Sequence, residues 1–206
     1  MEQSIFSYFS LQKNFQNFAR SLFFICPKFY TSIYVENSCV VVVTTSFYFE
    51  KLVKVVKSHF GFQQIIDFNA IDRLVSSSRF KLTLILRNFQ SYNSICAKTH
   101  FTLIISVLTE EMKKIPSISH IFKGNNWLER EVWDLFGIMI SGHPDLRKIL
   151  SDYGFNGFPL RKDFPLTGYL EIRYDDSLQR IVSEPVELTQ AYRFFDFLSP
   201  WVKTDF

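Results

Sequence analysis

Four charged side chains, Glu129, Arg130, Glu131 and Asp134, stand among Trp127, Leu128, Val132, Trp133, Leu135 and Phe136 in the stretch NNWLEREVWDLFG, residues 125–137. Charges at this density serve acid/base chemistry, ligate a metal, or pair structurally. The catalytic reading makes Glu131 and Asp134 a general acid/base pair or, with His143, the start of a carboxylate metal site. A di-metal site of that kind takes Glu and Glu-x-x-His sets from facing helices. No second set of that spacing occurs, and there is no Gly-rich phosphate loop or GxSxG.

The structural reading begins with Asn126 as N-cap, which puts Glu129 at the third helical position, able to reach back to the Asn126 N–H as in a capping box. At about 100° per residue, Arg130, Glu131 and Asp134 fall on one narrow face. Arg130 and Asp134 are four apart and able to pair. Trp127 shares that face, and an arginine and carboxylates beside an indole suit a docking surface.

HPDLRKILSDYGFNGFPLRKDFPLTG, residues 143–168, poses the same choice. Arg147, Arg161 and Lys162 are able to bind an anion, and Asp145, Asp152 and Asp163 are at hand to neutralise them. The expectation is an internal salt-linked scaffold. His59, His100, His120 and His143 show no HxxxH or HxxE spacing, and Cys26, Cys39 and Cys96 are odd in number and far apart, so neither a metal site nor a disulfide framework is indicated.

The elements that position these residues follow from periodicity. Apolar residues at 8, 11, 15, 18 and 22 mark a first helix ending before Pro27. TSIYV, the ENS turn and CVVVVTT read as a hairpin. Ser46 is the expected N-cap of a second helix with Leu52, Val53, Val56 and Phe60 as its stripe and Gly61 as its stop. FQQIIDF, RFKLTLILR and, as the latter's hairpin partner, SICAKT (94–99) read as strands. TLIISVL fits a strand or a helix, and Pro116 suits the first turn of a short helix through SISHIF. YLEIRY and LQRIVS make a hairpin, which alone is marginal in water.

With 206 residues, 47% of them hydrophobic, the chain has material for a real core. Its net charge of +3 comes from 23 basic against 20 acidic residues without like-charge runs, which argues against nucleic acid. Apolar runs are all shorter than a membrane span requires. Five of seven glycines fall between 137 and 168, and five of seven prolines between 144 and 200. The domain reading is therefore 1–140 as a packed α/β layer ending in the charged helix and 141–206 as a Gly/Pro-rich segment and extended arm. Tyr192, Phe195 and Trp201 in that arm have little local core and suit interface anchors.

The stretch EREVWDLFGIMISGHPDLRKIL, 129–150, resembles the signature of the 30 kDa subunit (the C-type subunit of bacterial enzymes) of respiratory NADH:ubiquinone oxidoreductase, complex I. DYGFNGFPLRKDFPLTGYLEIRYDD and RIVSEPVELTQAYRFFDFLSPW are similar to mitochondrial and related bacterial members, so the resemblance covers about 126–201. It implies an α+β, two-layer domain of helix, two strands, helix and three strands with a mixed sheet, followed by an extended C-terminal arm with a hairpin laid on the 49 kDa subunit.

It implies further that the chain supports assembly of the quinone-reducing module in the peripheral arm and has no catalytic, cofactor-binding or metal residues of its own. Flavin and iron–sulfur clusters are expected in partner subunits. Glu129, Arg130, Glu131, Asp134, His143, Asp145, Arg147, Arg161 and Asp163 are the expected packing and docking residues. The expected location is the matrix side of the mitochondrial inner membrane, with membrane association only through the complex. The N-terminal stripe carries only Lys13 and Arg20 where a transit peptide is richer in Arg, and 24 Phe residues fit an AT-rich gene, so synthesis within the organelle is expected. Two alternatives stand beside this: a carboxylate metalloenzyme using Glu131, Asp134 and His143, or an adaptor of a related membrane-bound hydrogenase or plastid quinone reductase.

Overall fold

Residues 15–36, 39–74, 76–88, 101–193 and 195 are described by a computed structural model. A helix covers 15–25 (α1). β1 (Ser32–Glu36) and β2 (Cys39–Thr44) form an antiparallel hairpin, followed by α2 (Ser46–Phe60). β3 (Gln64–Asp72), β4 (Phe80–Asn88) and β5 (Phe101–Thr109) complete a five-stranded sheet in the order β1-β2-β5-β4-β3. β2 and β5 run parallel and all other neighbours antiparallel, so the sheet is mixed, and the expected order of helix, two strands, helix and three strands is present. The segment SICAKT lies outside the described residues. TLIISVL is strand, paired along its length with β4 on one side and β2 on the other.

The strands alternate because one face is covered by helices. Leu82, Leu84 and Leu86 of β4, Leu103, Ile105 and Val107 of β5, and Val40 and Val42 of β2 are buried with Phe49, Leu52, Val53, Val56 and Phe60 of α2. Lys81, Thr83, Ile85 and Arg87, one residue out of phase, are only partly buried. The α1 ring of Phe18 packs 4.8 Å from Phe60 and 4.5 Å from Phe101 between centroids, closing the helical layer. Each fully buried Leu, Val or Phe contributes about 1.5–3 kcal/mol to this layer.

Two local expectations shift. The cap position of α2 belongs to Thr45, extended at φ −92° and ψ 158°, and Ser46 is drawn one residue into the helix, where it is buried. The residues after Pro116 form turns rather than a helix: β6 (Ile115–Pro116) pairs in parallel with β7 (Ile140–Ser141). Ile115 and Ser117 donate their N–H groups to Met139 and Ser141 carbonyls, so Pro116 occupies the one position of this short ladder that needs no donor. Burial of Ile115 and Ile118 outweighs the helix-start preference of proline.

α3 (Asn125–Phe136) lies between β6 and β7 in sequence and adds Val132 and Phe136 to the core. The chain forms two compact units, the first reaching Phe164 and the second running from Pro165. In the second, β8 (Leu170–Asp175) and β9 (Arg180–Pro185) form the expected antiparallel hairpin. Among the described residues no helix is long and apolar enough to cross a membrane.

Candidate functional site

α3 presents Asn125, Glu129, Val132 and Phe136 to the interior, a spacing of three and four that puts a carboxylate in the apolar stripe. Glu129 is 1% exposed. Its Oε1 accepts from the Ile118 N–H at 2.7 Å and from Asn125 Nδ2 at 2.6 Å, and its Oε2 accepts from Ser117 Oγ at 2.6 Å. The capping box is therefore not formed. The helix starts at Asn125 with Gly124 as its cap, earlier than expected, and Glu129 is spent on the chain leading out of β6. Leaving a buried carboxylate without these donors would cost several kcal/mol.

Asp134 plays the same part for the chain that follows. Its Oδ2 accepts the N–H groups of Ile149, Leu150 and Ser151 at 3.0, 2.6 and 2.9 Å, and its Oδ1 accepts from Ser151 Oγ at 2.5 Å. Three successive amides thus converge on one oxygen, a backbone nest for an anion. Burial pushes the Asp134 carboxyl up, but the bonds from Ser151, Leu150 and Ile149 outweigh it and hold the group below its ordinary value of 3.8. Lys148 Nζ stands 4.0 Å away.

Arg130 does not pair with Asp134, because the nest takes that carboxylate. Its Nε donates to the Arg147 carbonyl at 3.2 Å, and its guanidinium lies over the Trp127 ring, 5.3 Å from the centroid. Arg147 itself is on the surface, paired with Asp145 at 2.9 Å. The His143 side chain is buried. Its Nδ1 accepts the Asp145 N–H, so the neutral ring carries its proton on Nε2, which faces the Asn126 carbonyl at 3.3 Å and Glu129 Oε2 at 3.6 Å. Glu131 is half-buried on the remaining face. His143 is thus placed at Glu129 and Asp134 at the nest, and the described residues contain no group of three His, Cys, Asp or Glu able to hold a metal.

A second charged cluster closes the other end of α3. Arg161 Nε donates to the Phe136 carbonyl at 2.6 Å, capping the helix C-terminus, where a cation also meets the favourable end of the helix dipole. The same guanidinium pairs with Glu111 at 2.5 Å and covers Phe158, 4.5 Å from its centroid. Glu111 bridges to Arg79, which is bidentate on the buried Asp72 at 3.0 and 3.0 Å and also reaches Asp163 at 3.0 Å. The Arg79 guanidinium is the main cause that holds Asp72 below its ordinary value, against the upward push of burial. The expected salt-linked scaffold exists here, but Arg161 pairs with Glu111 rather than a neighbouring aspartate, and the backbone N–H of Lys162, not its amine, joins the cluster through Asp72 at 2.9 Å. Asp72, Arg79 and Glu111 were not singled out by sequence reasoning. The only signal was an acid and a base facing each other across the β3–β4 connection.

The second unit holds a different surface. On the hairpin, Leu170, Ile172 and Tyr174 share one face with Ile181, Ser183 and Pro185, while Glu171, Arg173, Asp175, Arg180 and Glu184 share the other with Val182. Leu170, Ile172, Tyr174 and Ile181 are 59–70% exposed, so a continuous apolar face is uncovered. Tyr192 and Phe195 further along are also exposed, with Arg193 over the Phe195 ring. Trp201 lies outside the described residues.

Residues 42–170 match the family model described as respiratory-chain NADH dehydrogenase, 30 Kd subunit. The chain is 48% identical over 140 residues to the C subunit of the NADH-quinone oxidoreductase of Paramagnetospirillum magneticum, an alignment spanning 68% of this chain and 66% of that one. It is 45% identical over 169 residues to NADH-ubiquinone oxidoreductase subunit 9 of Acanthamoeba castellanii, covering 82% of both. The corresponding protein of Reclinomonas americana is 43% identical over 152 residues, 73% of this chain and 71% of that one. Among solved structures, a chain of the membrane-bound sulfane sulfur reductase, an archaeal respiratory membrane complex, superposes with a TM-score of 0.57 at 18% identity over 73% of this chain and 85% of that one, which shows a shared fold.

The geometry around α3 sets the stability of two kinds of variant. Asp134→Ala strands three backbone donors and is expected to lower the unfolding free energy by about 3–5 kcal/mol at neutral pH. Asp134→Asn keeps one oxygen for the amides and offers its NH2 to Ser151 Oγ, so it should lose less. Because Asp134 and Asp72 are held below 3.8 in the fold, their contribution is complete above that pH and lost as pH falls through the folded values. Asp134→Asn should therefore flatten the acid limb of stability, and urea unfolding across the acid range tests both points; an unchanged limb would contradict the assignment.

Gly137 ends α3 at φ 71°, and a Cβ there would lie 2.5 Å from the Phe158 ring and 2.7 Å from the Arg161 guanidinium. Gly142, at φ 78°, has open space. Both Gly→Ala changes carry backbone strain of about 1–2 kcal/mol, but Gly137→Ala must also displace a packed ring. Thermal melting should place Gly137→Ala well below Gly142→Ala; equal melting points would show that the contact carries no energy.

Proposed function

The chain belongs to the 30 kDa subunit family of respiratory-chain NADH dehydrogenase, and on that premise we propose that it is a non-catalytic core subunit of the peripheral arm of proton-translocating NADH:ubiquinone oxidoreductase. It supports assembly and stability of the quinone-reducing module by docking on the 49 kDa subunit. Its expected seat is the matrix side of the mitochondrial inner membrane, in line with its likeness to subunit 9 of Acanthamoeba castellanii and Reclinomonas americana. Flavin and iron–sulfur clusters belong to its partners in this reading.

The observation that carries the proposal is the amphipathic hairpin with its bare apolar face. Two strands do not hold such a face in water on their own, and burying Leu170, Ile172, Tyr174 and Ile181 against another protein returns about 1.5–3 kcal/mol for each side chain. The charged helix supports the same reading from the other side. Glu129 and Asp134 have their oxygens filled by backbone and side-chain donors, which suits fixed architecture and leaves little room for a substrate. Against a metal centre of Glu131, Asp134 and His143 stands the commitment of two of them elsewhere: Asp134 is taken by the 149–151 amides and His143 by Asp145, Asn126 and Glu129.

Ile172→Asp with Ile181→Asp puts charges on the apolar face and changes no residue of the first unit. The variant should keep an unfolding free energy within about 1 kcal/mol of the parent chain yet fail to enter the complex, read by native electrophoresis with an NADH dehydrogenase activity stain. Normal migration with the large active band would refute docking through this face.

A further inference from the structure

The first unit carries a cleft of about 710 Å³ where the end of α2, the start of β3 and the turn before α3 meet. Its walls include Ile65, Ile66, Phe122, Trp127 and Leu128, and every ionisable group that lines it is basic: Lys57, His120 and Lys123. Lys57 is already spent, donating to the Ile121 carbonyl with its ammonium 4.7 Å from the Phe122 centroid, and His120 faces Glu50 at 3.2 Å. Lys123 has no carboxylate within reach among the described residues. Trp127 is 64% exposed, held on one side by Arg130.

A second observation concerns the wall itself. Successive residues of a regular strand point to opposite faces, yet the neighbours Ile65 and Ile66 both line the cleft. The register of β3 on β4 breaks between Ile65 and Asp67, so that Ile66 has no partner residue on β4 and stands 44% exposed at the cleft while Ile65 packs against the core. Bulges interrupt the ladder in this manner at sheet edges and beside functional sites. β3 is also an edge strand, so the cleft runs beside backbone groups that have no strand partner among the described residues.

We propose that this cleft receives an extended acidic segment of a neighbouring protein chain in the same assembly, with an apolar side chain between Ile66 and Trp127 and a carboxylate at Lys123. Charge complementarity selects the occupant: the site offers ammonium, indole and glutamine donors and an apolar floor, and no acid. An exposed tryptophan beside a cation is the kind of anchor that dominates interface energies. The inference rests on the reading of the chain as a subunit, and places a second contact on the first unit, separate from the hairpin.

The test uses the full chain with p-benzoylphenylalanine placed at Gln64, incorporated into the complex, irradiated, and the crosslinked peptide sequenced by mass spectrometry. The expected product is a single segment of another subunit with Asp or Glu within a few residues of an apolar side chain. Lys123→Glu should reduce that product about threefold to tenfold at low salt while the parent amount of complex is recovered. An assembled complex whose residue 64 crosslinks to lipid, to no protein, or to a segment without acidic residues overturns the proposal and leaves the subunit reading intact. A chain that never migrates with the complex overturns both.

Discussion

A backbone that runs through a protein interior without joining a helix or sheet must still find acceptors for its N–H groups. Here a single helix supplies them. Glu129 takes the amide of Ile118 on one flank of α3, and Asp134 takes those of Ile149, Leu150 and Ser151 on the other. The segments before and after the helix contain little regular structure, and these two buried carboxylates are what give them defined paths. Such carboxylates are stable only while fully bonded, so the helix and its flanking segments order together.

The second charged cluster extends this logic to the sheet. Asp72 ends β3, Arg79 precedes β4, Glu111 follows β5, and Arg161 caps α3. A chain of alternating charge thus ties three strand ends to the helix terminus, with Phe158 and Phe80 packed beneath the guanidinium groups. Gly137 lets the arginine and the phenylalanine come this close. In the second unit charges act differently: they occupy one face of the hairpin and leave the other apolar.

The layered domain was legible in the sequence because strand alternation and the α2 stripe record burial directly. Leu82, Leu84 and Leu86 had one available reading, and so did Leu52, Val53 and Val56. The site was legible by residue type but not by partner. Local spacing put Glu129 on the Asn126 amide and Arg130 on Asp134, contacts worth a few tenths of a kcal/mol to about 2 kcal/mol. Burial overrode both, since a carboxylate removed from water goes to the donors that need it most, and those lie 11 to 17 residues away. Pro116 misled for a related reason: its missing N–H suits a helix start and a gap in a short ladder equally well.

On the proposed function, the buried carboxylates of α3 build the subunit and take no part in electron or proton transfer. The most direct measurement is NADH:quinone turnover per assembled complex in a Glu129→Gln variant, with the amount of complex quantified separately. Less assembled complex is expected, with unchanged turnover for each copy that does assemble. Full assembly with turnover lost would contradict it and return Glu129 to the chemistry.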